Sequence, residues 1–325
     1  MSGCDNRAVA ASPRLSVILV TDRYETVRRM VESLAAQTRP EEVELVFVAP
    51  ANAGIPVDAA ELRPFAAVQV AEVDSVLRLA RARAVGVRAA TAPLVYLAET
   101  HAFPQPGFVE EVVLAHDLGW SAVVPAVGNA NPDDGARSWS ILLLDYGDRL
   151  ATNPPGERGK LGPHNTVVER ELLVQLDGNL PALLAPGSAL ADELRKRGAK
   201  IGFHPAALID HVNVSKPVAW AGERFAGGVL LAQARVGRWG LGRRLLYAAG
   251  SPLIPFVWIS RTLRIVDWRN RRREVPILTL PLMLLGTVIW ALGECAGYLG
   301  LGGDAEVRMT EYEMHKLRYA TRVNP

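Results

Sequence analysis

Cysteine is nearly absent: the 325 residues hold two, Cys4 and Cys295. Thiols at opposite ends of the chain, in different surroundings, read as unlinked and reduced rather than as a disulfide framework or a cysteine metal site. An excess of either charge is missing too, since 36 Lys and Arg stand against 34 Asp and Glu, a formal net charge of +2. That balance argues against a nucleic-acid binder reading phosphate along its whole surface. The opening stretch MSGCDNRAVAASPR has no apolar run of the secretory kind. The expectation is therefore a disordered lead-in over 1–13 and a cytoplasmic home for the main domain. No internal repeat and no low-complexity segment is found, which excludes a repeat array.

What is present is apolar. Hydrophobic residues make up 49% of the chain, enough for a sizeable core, and the excess gathers toward the C-terminus. LSVILV (15–20), VELVFV (43–48), LVYLA (94–98) and residues 121–127 are short β-branched or apolar runs bounded by turn residues, the pattern of buried parallel strands. Between them, residues 26–37, 76–90 and 108–118 carry apolar residues at helical spacing. Strands alternating with helices predict an α/β fold with a mostly parallel sheet, whose ligands sit beyond the carboxyl ends of the strands. Farther on, 129–162 is loop-rich with a helical piece at 139–146. Residues 166–177 and 189–198 are expected to be helical, and 206–209 to form a short strand. One of the apolar runs ends in chemistry: LVYLAETHAFPQPGF delivers Glu99 and His101 to the mouth of the sheet, ahead of a loop stiffened by Pro104 and Pro106.

In order along residues 14–215, four segments resemble those of family 2 glycosyltransferases, which have the GT-A fold. LSVILVTDRYETVRRMVESLAAQTRPEEVELVFV resembles the opening strand, the helix ending SLxxQT and the second strand. ARAVGVRAATAPLVYLAETHAFPQPGF resembles the ARNxG helix, the following strand and the acidic DxD-type motif. GPHNTVVERELL resembles the acceptor-side GxNxxxRR segment, and IDHVNVSK carries the trailing histidine. The resemblance implies a nucleotide-sugar donor and a divalent metal, Mn²⁺ or Mg²⁺, on its diphosphate. A hard cation offsets the charge that a leaving diphosphate accumulates. Glu99 and His101 stand where DxD would, with His211 as a third ligand. It further implies donor contacts from Thr21, Asp22, Arg83 and Asn165.

Two departures go with it. FVAPAN places Ala49 and Pro50 where the family carries an aspartate for the nucleotide. Counting back from Gly198 puts Pro186 and Gly187 where the family's general base would stand, and neither side chain accepts a proton. His164 is the candidate replacement. The alternative is a catalytically impaired GT-A scaffold that regulates a partner at the membrane. A nucleotidyltransferase would need glycines after the first strand, and TDRYETVRR has none.

The last third is of another kind. Residues 245–260 and 275–292 are uncharged runs separated by the basic segment RTLRIVDWRNRRRE. Keeping all the basic residues on one lipid face makes 245–260 an interfacial or shallow re-entrant element, while 275–292 either dips in or spans. Pro276 and Pro281 are expected to shorten that run. The organisation predicted is a GT-A domain over 14–242, membrane-associated hydrophobic helices over 243–302 and an amphipathic tail over 303–325. The activity predicted is sugar transfer at the cytoplasmic face of the membrane to a lipid-linked or envelope glycan acceptor. Membrane lipids are partners in that reading and nucleic acid is not.

Overall fold

Unbroken runs of valine, leucine and isoleucine are stable only between two covering layers, and such runs form the centre of a nine-stranded sheet. The computed structural model describes residues 12–237, 239–266, 268–271 and 273–322. The expected lead-in lies outside them apart from residues 12 and 13. The strands are β1 (Leu15–Val20), β2 (Val43–Ala49), β3 (Ala67–Glu72), β4 (Leu94–Leu97), β5 (Ala102–Pro104), β6 (Ala122–Asn129), β7 (Gly156–Glu157), β8 (Val167–Glu169) and β9 (Ile201–His211). Their order is β3-β2-β1-β4-β8-β6-β9-β5, with β7 added to β9. β1 runs parallel to β2 and β4, and β6 parallel to β9, whereas β8 is antiparallel to both neighbours and β5 is antiparallel to β9.

Alternation along β1 builds the layers. Val17 and Leu19 share a core with Val27, Met30 and Leu34 of helix Tyr24–Ala35. Ile18 and Val20 share the opposite core with Ala82 and Val87 of helix Leu79–Ala89. Gly86 sets how closely that second helix sits on the sheet: a Cβ there would collide with Ile18 and lie 2.8 Å from Val48 Cγ2. Close packing offsets the roughly 1 kcal/mol that glycine costs a helix.

Residues 166–177 do not form the single helix expected. Val167–Glu169 is β8, and only Arg170–Val174 is helical at its head. Val167 and Val168 are fully buried between β4 and β6, and burying two β-branched side chains on a pleated surface overrides their helical spacing. The short strand expected at 206–209 is the middle of the eleven-residue β9.

The C-terminal third is helical. Residues 245–260 fall in two helices, Leu241–Gly250 and Ile254–Ile265, parted by the turn Ser251–Leu253. Helix Thr279–Tyr298 is long and apolar enough to cross a membrane by length and composition. Pro281 falls in its first turn, where a missing N–H breaks no helical hydrogen bond, so the helix is not shortened there. One face lies along helix Pro217–Val236. Gly228 meets the Trp290 carbonyl and Gly293 the Phe225 carbonyl so closely that neither position has room for a Cβ. The other face exposes Leu284, Leu285 and Leu292 by 49%, 49% and 59%. The chain then turns back, and helix Ala305–Met314 packs beside helix Pro217–Val236.

Candidate active site

Strand ends bring the motif residues together. Glu99, Thr100 and His101 follow β4 after Ala98, and β5 pairs Ala102 with His211 at the end of β9. That antiparallel register places two histidines 110 positions apart side by side, with Nε2 atoms 3.1 Å from each other. Glu99 Oε2 lies 3.5 Å from His101 Nε2 and 3.6 Å from His211 Nε2. All three side chains are at most 2% exposed.

The outer hydrogen bonds fix what those nitrogens present. His211 Nδ1 stands 3.0 Å from Asn213 Oδ1, whose own amide donates to Asn129. An acceptor there requires His211 to carry its proton on Nδ1, leaving Nε2 a bare lone pair. His101 Nδ1 faces the Thr100 hydroxyl at 3.4 Å, and that hydroxyl donates to the main-chain carbonyls of Glu313 and Met314. Its oxygen is thus free to accept, and in the tautomer protonated on Nδ1 His101 too turns a lone pair inward. Three electron-rich atoms therefore converge with two neutral donors, the Tyr146 hydroxyl, 3.2 Å from His211 Nε2, and the Asn165 amide on Glu99 Oε2. Such convergence is repulsive without a cation. Two donors about 2.1 Å from one cation stand about 3 Å apart at a right angle and about 3.4 Å apart at the tetrahedral angle. The observed separations lie close to that range, and the donor set of one carboxylate and two imidazoles suits a first-row dication better than Ca²⁺.

Electrostatics agree. Burial alone would raise the Glu99 pKa, but the surrounding imidazoles of His164, His101 and His211 outweigh it and hold the carboxyl well below its ordinary value. Burial holds His101 well below, and His211 below, the usual 6.5. Unfolding restores both. Between pH 6.5 and 5 the unfolded chain binds protons that the folded chain refuses, so acidification removes stability. Glu313 works the other way in that window. Burial and the Glu99 and Glu223 carboxylates push it up to about 7 against the pull of Lys316. His164, held down to about 4, and His315, also held below its usual value, act in the same sense as His101 and His211. With four histidines against one carboxyl, the net loss is at most about 4 kcal/mol per pH unit. Urea unfolding in metal-free buffer at pH 6.5 and 5.0 should show it, and a midpoint that rises on acidification would contradict this account.

The remaining sequence-derived residues are distributed around this centre. His164 Nδ1 lies 3.8 Å from Glu99 Oε1. Asn165, in the left-handed region at φ 50, is fully buried, donates to Glu99 Oε2 and accepts from Tyr96 at 3.3 Å. Its side chain therefore holds the Glu99 carboxylate in place. Arg83 is 7% exposed, and its Nε has no hydrogen-bond partner. Thr21 and Asp22 sit at the end of β1. The Thr21 hydroxyl bonds the Arg23 carbonyl at 2.7 Å, and Asp22 accepts from Thr26 at 2.7 Å and faces His315 at 3.5 Å.

Two cavities meet beside the centre. One of about 400 Å³ has Arg83, Glu99 and His211 on one wall and Leu231, Trp258 and Trp290 on another. The other, about 630 Å³, lies under the loop 158–163. Asp145, Tyr146, His164 and Gly187 line both. Pro186 and Gly187 thus border the first cavity where the family's base would stand, and Asp192 reaches only the second. Sequence reasoning missed Tyr146 and Asn213, which sit in an unremarkable helix and just past a strand. It also missed Asp145, clamped by both terminal nitrogens of Arg224, and Glu313 and Lys316, which line the first cavity from the far end of the chain.

Residues 16–176 match the model of glycosyl transferase family 2. No curated protein matches the chain significantly in sequence. Among solved structures it is similar to GalNAc-T7 with UDP, GalNAc and Mn²⁺, at 19% identity and TM-score 0.47, covering 61% of this chain and 43% of that one. It is also similar to mannosyltransferase PcManGT from Pyrobaculum calidifontis in complex with GDP-Man and Mn²⁺, at 18% identity and TM-score 0.47, covering 95% and 81%. S. aureus TarS 1–349 in complex with UDP aligns at 13% identity and TM-score 0.45, covering 88% and 90%. Residues 16–176, on a mixed, mostly parallel sheet flanked by helices, thus form a glycosyl transferase family 2 domain of GT-A fold.

Proposed function

We propose that the protein transfers a sugar from a nucleotide diphosphate donor, assisted by a divalent cation held by Glu99, His101 and His211. The convergence of one carboxylate oxygen and two bare imidazole nitrogens, buried and within 4.8 Å of one another, carries this reading. Such a cation supplies charge compensation to the leaving diphosphate. Arg83 supports it from the same cavity: a nearly buried guanidinium with an unpartnered Nε suits a phosphate group. Asp22 and Thr21 take the nucleotide side. Asn165 acts on the donor through Glu99, whose carboxylate it orients. His164 lies where the two cavities join. Desolvation pulls its pKa down to about 4, so at neutral pH its imidazole is uncharged and can accept a hydrogen bond from the acceptor hydroxyl.

The acceptor in this reading is lipid-linked or part of an envelope glycan, reached from the cytoplasmic face of the membrane. Its support is the apolar wall of the first cavity. Trp258 and Trp290 belong to the helices whose outer faces expose Phe256, Val257, Leu284 and Leu285. An amphiphile lying in the bilayer surface would have a short path from that face to His164. The helix Thr279–Tyr298 packs one side against Pro217–Val236 along its length, which favours lying in the interface over crossing alone.

Calorimetric titration with UDP-, GDP- and TDP-sugars, with and without Mn²⁺, tests the donor half. Binding of at least one is expected to require Mn²⁺. Arg83→Met should weaken nucleotide binding ~10- to 100-fold, the loss of a charge-assisted contact, while leaving Mn²⁺ affinity unchanged. No binding of any nucleotide would instead favour a scaffold without catalysis.

A further inference from the structure

The metal reading above leaves one acidic side chain unassigned. Glu313 belongs to helix Ala305–Met314, yet its Oε2 lies 3.6 Å from His101 Nε2, as near as Glu99 is to His211. Its main-chain carbonyl accepts from the hydroxyl of Thr100, the middle residue of the Glu99-Thr100-His101 motif, at 3.1 Å. The C-terminal segment is thus registered on the motif by its backbone while its carboxylate faces the same centre.

Attachments on both sides keep it there. Upstream, Arg78 pairs with Asp304 and Glu306, and Thr310 bonds the Leu77 carbonyl at 3.1 Å. Downstream, the Tyr319 carbonyl accepts from the backbone of Ser215 and Lys216, and His315 faces Asp22 at 3.5 Å. The segment therefore runs across the ends of β1 and β4, where a donor would enter. Lys316 is 4% exposed and bridges Glu313 at 3.1 Å to Glu223 at 3.4 Å. An ion pair with Lys316 does not exhaust the carboxylate, which keeps lone pairs for a cation.

We infer that Glu313 is a fourth ligand of the cation held by Glu99, His101 and His211, and that this bond fastens the C-terminal segment over the donor cavity. The inference rests on the metal reading. Glu313 stands outside the group of three whose donor atoms lie within 4.8 Å of one another, so its side chain closes onto the cation when the ion binds. Two carboxylates and two neutral imidazoles would then surround a dication, giving a locally neutral site.

The test uses full-length protein without nucleotide and reads Mn²⁺ affinity by electron paramagnetic resonance and amide exchange over 304–319. Wild type should bind Mn²⁺ and show slower exchange in that segment when it does. Glu313→Gln should weaken Mn²⁺ binding ~10- to 100-fold and lose the Mn²⁺-dependent protection. Glu313→His, which keeps a ligand but not the pair with Lys316, should stay within roughly fivefold of wild type. Lys316→Met, which keeps the carboxylate, should bind at least as tightly as wild type. Wild-type affinity in Glu313→Gln overturns the inference alone. So does equal weakening in Glu313→Gln and Lys316→Met, which would make Glu313 only an ion-pair partner. A wild-type protein that binds no Mn²⁺ overturns the metal reading together with it.

Discussion

Glu99→Gln, Glu99→Ala and His101→Ala should each lower metal-dependent donor hydrolysis or transfer by roughly 10³-fold or more. The size follows from what each removes. Glu99 is the one carboxylate in the tight group of three donors, and two neutral imidazoles alone compensate none of a dication's charge. Loss of a cation on a leaving diphosphate forfeits several kcal/mol of transition-state stabilisation, and 4 kcal/mol is about 10³-fold. Glu99→Gln is close in shape, so its effect isolates charge. His101→Ala also leaves a void at a fully buried position, so its folding must be confirmed by unfolding midpoint before its kinetics are read. Tyr146→Phe is the comparison. It removes the one neutral donor beside His211 and should change turnover far less. Mn²⁺-dependent turnover near wild type in both Glu99→Gln and His101→Ala would remove the cation proposal.

The second large effect concerns the apolar surface of the C-terminal third. Leu246, Phe256 and Val257 are exposed by 69%, 72% and 64% on consecutive helices. Inserting each into the headgroup boundary is worth roughly 1–2 kcal/mol at about 25 cal/mol per Å². Replacing all three with glutamate should therefore weaken binding to anionic vesicles about 10³-fold or more. The basic residues near this surface, Arg243, Arg244, Arg261 and Arg264 among them, should add a salt-sensitive part of about 1 kcal/mol each. Sedimentation with vesicles at low and high salt separates the two contributions. Point changes serve better than removing everything after Arg243, because Thr310, Glu313 and Lys316 beyond it line the cavity. A triple variant that still pellets like wild type would make the exposed face something other than a lipid-binding surface.

How much could be read in advance varies with the range of the forces involved. The β1 and β2 runs, helices near 24–35 and 108–117, and the carboxylate and imidazole at the end of β4 were all legible, because local apolar runs and spacing fix them. Half-buried β3 carries no such signature: AVQVAE is partly exposed along its length. β8 was hidden because VVERELL satisfies helical spacing until its neighbours β4 and β6 are known. His211 was legible only by resemblance, as its contact with His101 depends on the β5–β9 register.

From the residues alone came an α/β sheet, a mouth carrying Glu99 and His101, and an apolar C-terminal third, while the place without a proton acceptor at Pro186 and Gly187 came from the family resemblance. The first three rest on covalent neighbours and short-range periodicity, which a linear chain displays. Tertiary structure decided that Asn165 serves Glu99, that the Nε2 atoms of the two imidazoles face each other, and that the C-terminal segment returns to set Glu313 and Lys316 in the site. Each of those depends on which strands and helices pack side by side, and residues more than 200 positions apart acquire a common electrostatic environment only when the chain has closed on itself.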